Sequence, residues 1–388
     1  MSVWLLPENI ADMLPREARA IENLRSSFLK LVNSHGFEVV RPPLIEYVES
    51  LLVGGGSDLD VRTFKIVDQV SGKTMGVRAD MTPQVARIDA HILNRPGVSR
   101  LCYVGSVLHA RPLHPLASRQ PYLAGVELFG SSDPESDREV ISLGVECLRK
   151  FGLDNIYLDL GHTGIVKAIL DRDPSSCRYQ PEILFALSHK DRSALEDLYG
   201  KLETKTVEDL IKLTMMFGSE DVLNQAIEEF SDYPEIPPIL ELVRQLGRAS
   251  GADSVSYDFA DVDGYNYHTG VTFSVNIPGR YQPILRGGRY DDVGEVFGRK
   301  RPAVGFTIYL REIITVMDTK RPYAILSPNS HSDESLRLKI RELRESGEIV
   351  IEKLPEDTVS SLEESFRLDE EIVCVNGVWT VTPRTWNR

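Results

Sequence analysis

Residues Ala303–Ile313 read AVGFTIYLREI: an apolar strand, with Val304, Phe306 and Ile308 on one face, that runs directly into the start of a helix. Just upstream, Ile284–Asp291 (ILRGGRYD) carries a glycine pair that suits close approach of backbone to a ligand. Val262–Phe273 reads VDGYNYHTGVTF, and Arg100–Gly130 reads RLCYVGSVLHARPLHPLASRQPYLAGVELFG, the length of a long hairpin. Further back, Met75–Arg87 reads MGVRADMTPQVAR. Gly36–Tyr47, GFEVVRPPLIEY, is a strand followed by Pro42-Pro43 and is preceded by a helix with apolar residues at Ala18, Ile21, Leu24, Phe28 and Leu31.

Between these segments the pattern changes. Residues 1 to about 160 alternate helix and strand and end in NIYLDLGHTGI, a strand (Ile156, Leu158, Leu160) stopped by Gly161. From Ile165 to Arg248 the reading is nearly all helical, with Ile183, Leu184 and Leu187, then Leu210, Ile211 and Leu213, at helical spacing. Strands return from Ser254 to Ile308. After Thr319 a small α/β unit is expected: PYAILSP as a strand, Ser335 to Glu345 as a helix, EIVIEKL as a second strand and EIVCVNGVWTV as the last. No internal repeat or low-complexity tract is present.

The chain has 388 residues, 42% of them hydrophobic, enough to fill the cores of two or three domains. No apolar run approaches the roughly 18 residues of a membrane span, and Met1-Ser2-Val3-Trp4 begins no signal peptide, so a cytoplasmic protein is expected. The four cysteines are scattered, as reduced thiols are, and the eight histidines show no ligand spacing; neither a metal nor a cofactor is expected. A net charge of −14 bears on nucleic acid, because gripping phosphates requires clustered Lys and Arg. Residues 321–388 carry nine Lys and Arg against 13 Asp and Glu, which disfavours binding of tRNA by this segment.

Taken in order, these segments resemble the histidyl class of class II aminoacyl-tRNA synthetases. GFEVVRPPLIEY is similar to the dimerisation motif, MGVRADMTPQVAR to the LRPEGT segment that holds an amino acid's ammonium group, and Arg100–Gly130 to the motif 2 hairpin. The resemblance implies an α+β fold, an antiparallel sheet flanked by helices, with residues 1–164 and 251–318 as the core, 165–250 as a helical insertion and 319–388 as a small C-terminal α/β domain. The catalytic charges, however, are altered. Where the family has AVGF-x-IGLER, this chain has Tyr309, Arg311 and Glu312; where motif 2 has an arginine and a glutamate, it has His109, Ala110 and Arg111; and Asp263 replaces the arginine of VRGLDYYTGTVF. A carboxylate where a triphosphate needs a fixed cation repels the nucleotide.

The altered pattern is similar to the regulatory subunits of ATP phosphoribosyltransferase, paralogues of histidyl-tRNA synthetase, over about residues 5 to 313. That resemblance implies a protein without a reaction of its own, which assembles with the short-form catalytic subunit in the first step of histidine biosynthesis and conveys feedback by L-histidine. It also implies self-association as a dimer, and a histidine pocket that retains Asp80, Thr82, Glu127 and Tyr267, with His268 where the family has tyrosine. An alternative is a synthetase-like ligase with altered or residual adenylate chemistry. Asp80 and Thr82 also fit a helix start ahead of Pro83. His109 and His114 read as loop residues, Arg311 and Glu312 as a surface pair, and Gly54-Gly55-Gly56 as a mobile loop, since no P-loop lysine follows.

Overall fold

The computed structural model describes residues 4–52, 56–280, 282–331 and 333–384, so Gly54 and Gly55 lie outside the described residues. The chain forms two compact units, one of Met1–Asp12 with Ile21–Met317 and one of Met13–Ala20 with Asp318–Arg388.

The first unit contains twelve strands among its described residues: β1 (Glu38–Val39), β2 (Ile45–Tyr47), β3 (Phe64–Val67), β4 (Thr74–Val77), β5 (Ser99–Ser106), β6 (Tyr122–Phe129), β7 (Tyr157–His162), β8 (Phe217–Gly218), β9 (Ser254–Asp258), β10 (Val271–Asn276), β11 (Leu285–Arg289) and β12 (Ala303–Tyr309). Nine of them make one sheet in the order β1-β5-β6-β12-β11-β10-β7-β9-β8, while β2, β4 and β3 form a separate small sheet. The large sheet is antiparallel except where β1 joins β5 and β7 joins β9. β7 runs through Gly161 to His162, so that glycine does not stop the strand.

Alternation gives the sheet two unlike faces. The register aligns Cys102, Val126 and Phe306, and beside them Val104, Ala124 and Ile308, so that the middle of this face is apolar. Helices Pro134–Lys150 and Ile236–Ala249 pack against this side of the sheet. The first begins at Asp133, whose carboxylate accepts from the Glu135 amide at 2.9 Å, with Pro134 at a position that needs no amide hydrogen. The opposite face carries Tyr103, Gly125 and Thr307 in one row and Leu101, Glu127, Gly305 and Gly288 in the next. The helical stretch between β7 and β9 is interrupted by β8, where Phe217 and Gly218 extend the sheet edge against β9. A two-residue strand has no period to read.

The second unit has four more strands, β13 (Tyr323–Ser327), β14 (Val350–Glu352), β15 (Arg367–Val375) and β16 (Val378–Pro383), in the order β14-β13-β15-β16. Ile325, Val350 and Ile372 pack with Leu336 and Ile340 of helix Glu334–Glu345. The expected last strand is instead a hairpin. Asn376 and Gly377 both adopt positive φ, 51° and 81°, and fold EIVCV back on VWTV. Helix Val359–Ser365 was also absent from the expectation, because it buries no residue and so shows no apolar stripe. Among the described residues no helix is long and apolar enough to cross a membrane.

Candidate ligand site

Glu127 sits in the middle of β6 on the polar face and is 1% exposed. Tyr103 donates its hydroxyl hydrogen to Oε1 at 3.2 Å, and Tyr290 donates to Oε2. The Tyr103 oxygen also lies 3.2 Å from Thr82 Oγ1 and 2.7 Å from Thr307 Oγ1. Burial pushes the Glu127 carboxyl up to about 8; the hydroxyls of Tyr290, Thr82 and Tyr103 pull it down, and the nearby charge of Asp80 pushes it further up. The network fits only because two facing positions lack side chains. A Cβ on Gly305 would fall 1.8 Å from Glu127 Oε2, and one on Gly125 would fall 2.4 Å from the Tyr103 ring.

Asp80 stands at the start of helix Thr82–Arg87. Its Oδ1 accepts from the amides of Met81 at 2.6 Å and Thr82 at 3.1 Å, the helix-start role, while Oδ2 has no hydrogen bond among the described residues. One oxygen therefore fastens the turn.

Tyr267 stacks on Tyr290 with ring centroids 5.0 Å apart. Its hydroxyl is buried without a hydrogen-bond partner among the described residues, and its phenol is pushed upward by burial and then by the charges of Glu127 and Asp80. His268 meets Tyr267 edge-on at 5.3 Å, and its buried Nδ1 also has no partner. Burial lowers its pKa to about 4, so the ring is neutral. It fills the space above Gly288, where a Cβ would come within 2.7 Å of Nδ1.

All five residues named from the sequence thus meet at one place. Contacts run from Thr82 through Tyr103, Glu127 and Tyr290 to Tyr267 and His268, with Asp80 close enough to act on Glu127. Tyr103, Tyr290 and Thr307 were not among the expected site residues. Tyr290 lies within the GGRYD segment, whose glycine pair is its stronger signal; nothing in the sequence around Tyr103 or Thr307 sets them apart from ordinary strand residues.

The altered positions are tied up elsewhere. Asp263 pairs with Arg286, and Glu312 with Arg280 at 2.8 Å. Arg311 donates to Ser118 Oγ, Gln120 O and Ala11 O, each at 3.2 Å, and so holds the motif 2 loop and the N-terminal segment. The expected surface pair of Arg311 with Glu312 does not form, since each has its own partner. His109 is more than a loop residue: it is 3% exposed, its Nε2 lies 3.1 Å from Ala79 O, and burial lowers its pKa. A neutral ring in this place cannot stand in for a phosphate-binding arginine.

A mainly antiparallel sheet with a buried carboxylate-and-tyrosine cluster on its polar face, together with these motif 1 and motif 2 elements, defines a class II body of the histidyl-tRNA synthetase type. Residues 9–313 match the family model described as Histidyl-tRNA synthetase, and residues 321–382 match that of the ATP phosphoribosyltransferase subunit HisZ C-terminal domain. ATP phosphoribosyltransferase regulatory subunits of Cupriavidus pinatubonensis and Burkholderia cenocepacia are 47% and 46% identical over 98% and 99% of this chain, and 99% and 100% of their own lengths. A solved ATP phosphoribosyltransferase regulatory subunit/histidyl-tRNA synthetase from Bacillus halodurans has a TM-score of 0.82 at 26% identity, covering 95% of this chain and 97% of that one. Histidyl-tRNA synthetase from Nostoc, at 17% identity and a TM-score of 0.75 over 96% of this chain and 91% of that one, shares the fold. The chain belongs to the family of ATP phosphoribosyltransferase regulatory subunits. It is a non-catalytic member of the synthetase superfamily, with the synthetase cations replaced at His109, Asp263 and Glu312.

Proposed function

We propose that this chain assembles with a short-form ATP phosphoribosyltransferase catalytic subunit, is required for its activity in the first step of histidine biosynthesis, and conveys feedback inhibition by free L-histidine. The observation that supports the reading is that Thr82, Glu127, Tyr267 and His268 are joined in one buried cluster, with Asp80 beside it, while His109, Asp263 and Glu312 stand where the synthetase cations are expected. The open Oδ2 of Asp80 and the buried carboxyl of Glu127 accept from the α-ammonium, with Thr82 adding a neutral hydrogen bond; the unpartnered Tyr267 hydroxyl meets the imidazole, and His268 packs behind it. Each charge-assisted bond contributes roughly 1.5–3 kcal/mol. An arriving ammonium also lowers the pKa of Glu127, so histidine binding near neutral pH releases a proton. The Gly36–Tyr47 segment supplies a dimer contact, which gives two copies of each docking face.

Feedback requires that histidine bind the inhibited assembly more tightly than the active one, by a coupling of roughly 1–3 kcal/mol. Calorimetric titration of histidine into the purified complex tests the site. Asp80→Ala and Glu127→Gln weaken histidine binding and its inhibition while the partner is still activated. Equal histidine affinity in wild type and both variants would place the sensing site elsewhere, and failure to co-purify with a short-form catalytic subunit would remove the assembly itself.

A further inference from the structure

The proposed pocket accounts for two parts of histidine, the ammonium and the imidazole, and leaves the α-carboxylate without a partner. The carboxylate of Asp80 repels it, so a cation has to face the same cluster. Arg286 stands in that position. On β11 it pairs with Thr307 of β12, which carries it on the polar face one strand beyond the hydroxyl that Tyr103 meets. Two residues further along β11 is Gly288, the position that His268 covers. Glu127 lies two strands away and leans over Gly305, so roughly 10 Å of sheet separates its backbone from that of Arg286.

Arg286 donates to Asp263 through Nη1, and its Nε and Nη2 make no hydrogen bond among the described residues. Those two nitrogens form one edge of the guanidinium, a fork that matches a carboxylate. Other arginines nearby are committed. Arg289 is 8% exposed and divides its nitrogens among Asp137, Ser131 O, Asp291 and Ser136 Oγ, while Arg311 holds the motif 2 loop and the N-terminal segment. Burial is the main influence on His268 and on the Tyr309 hydroxyl. Beyond it, the charges of Asp263 and Arg286 both reach His268, and Asp80 and Arg286 act on Tyr309 in opposite senses. The free cationic edge and the acceptors of the ammonium therefore belong to one neighbourhood.

We propose that Arg286 is the group that reads the α-carboxylate of the bound amino acid, with Asp263 as its positioning residue. The inference rests on the histidine reading of this pocket and extends it from the ammonium and imidazole to the whole zwitterion. Asp263 keeps Nη1, and the carboxylate takes Nε and Nη2 together. The sensor then separates an amino acid from the corresponding amino alcohol, which keeps the ammonium and the imidazole and lacks the anion.

Calorimetric titration of L-histidine and L-histidinol into the purified complex tests it, because histidinol carries a hydroxymethyl group where histidine has its carboxylate. Wild type is expected to bind histidine about tenfold or more tighter than histidinol. Arg286→Gln is expected to cut that preference to about twofold or less while the affinity for histidinol stays near that of wild type, which a misfolded chain cannot achieve. A preference that survives Arg286→Gln, an equal loss of both ligands in that variant, or a wild type that binds both equally would overturn the role of Arg286 and leave the pocket to be judged by Asp80→Ala. A complex that binds neither ligand would remove the histidine reading itself, and this extension with it.

Discussion

Glu127 offers a sharp test of the pocket's electrostatics. Its carboxyl is pushed up to about 8 in the folded chain from 4.5 in the unfolded one, with burial as the main cause. Between those two pH values the folded state holds a proton that the unfolded state has lost. The contribution of this group to stability is therefore complete below about pH 4.5, declines as pH rises, and is gone above about pH 8. At about 1.4 kcal/mol per pH unit the full span comes to roughly 5 kcal/mol, and the interval from about pH 5.5 to 7.5 to roughly 2–3 kcal/mol. Glu127→Gln keeps the shape and abolishes the titration. Urea unfolding of both proteins across that interval, without histidine, is expected to give curves whose difference changes by that amount, with wild type losing stability relative to the variant as pH rises. Other titrating groups cancel in the difference. Parallel profiles would refute the reasoning and show Glu127 ionised throughout, held so by the hydroxyls of Tyr103 and Tyr290.

Other outcomes follow from the same structure. The ion pair of Arg301 with Asp89, 6% and 1% exposed, leaves an uncompensated buried guanidinium in Asp89→Ala, and denaturant titration is expected to record a loss of roughly 3–5 kcal/mol. Gly125→Ala drives a methyl group into the Tyr103 ring and is expected to cost about 1–3 kcal/mol, together with the near-ultraviolet signal of that tyrosine. Because His109, Asp263 and Glu312 occupy the cationic positions, histidine-dependent exchange of pyrophosphate into ATP is expected to be absent from the pure protein; a measurable rate would revive the ligase reading.

Much of this protein was legible before any coordinate. The alternation in AVGFTIYLREI and the order of the flanking segments carry the synthetase-like body, because strand burial imposes a two-residue period that the chain writes locally. Asp80, Thr82, Glu127, Tyr267 and His268, which the fold brings together, were singled out for a related reason: each belongs to a short segment whose layout resembles the family's. The replacement of cations at three separate places is likewise a matter of residue identity alone.

What the chain did not disclose depends on register and distance. Tyr103 on β5 and Tyr290 just past the end of β11 close on Glu127 from places far apart in sequence, and only the pairing of β5, β6, β12 and β11 aligns them with the glycines that give them room. The raised pKa of Glu127 is a property of that enclosure and not of a glutamate. Arg311 and Glu312 are neighbours in sequence yet hold different parts of the fold, since a helix start points adjacent side chains in different directions.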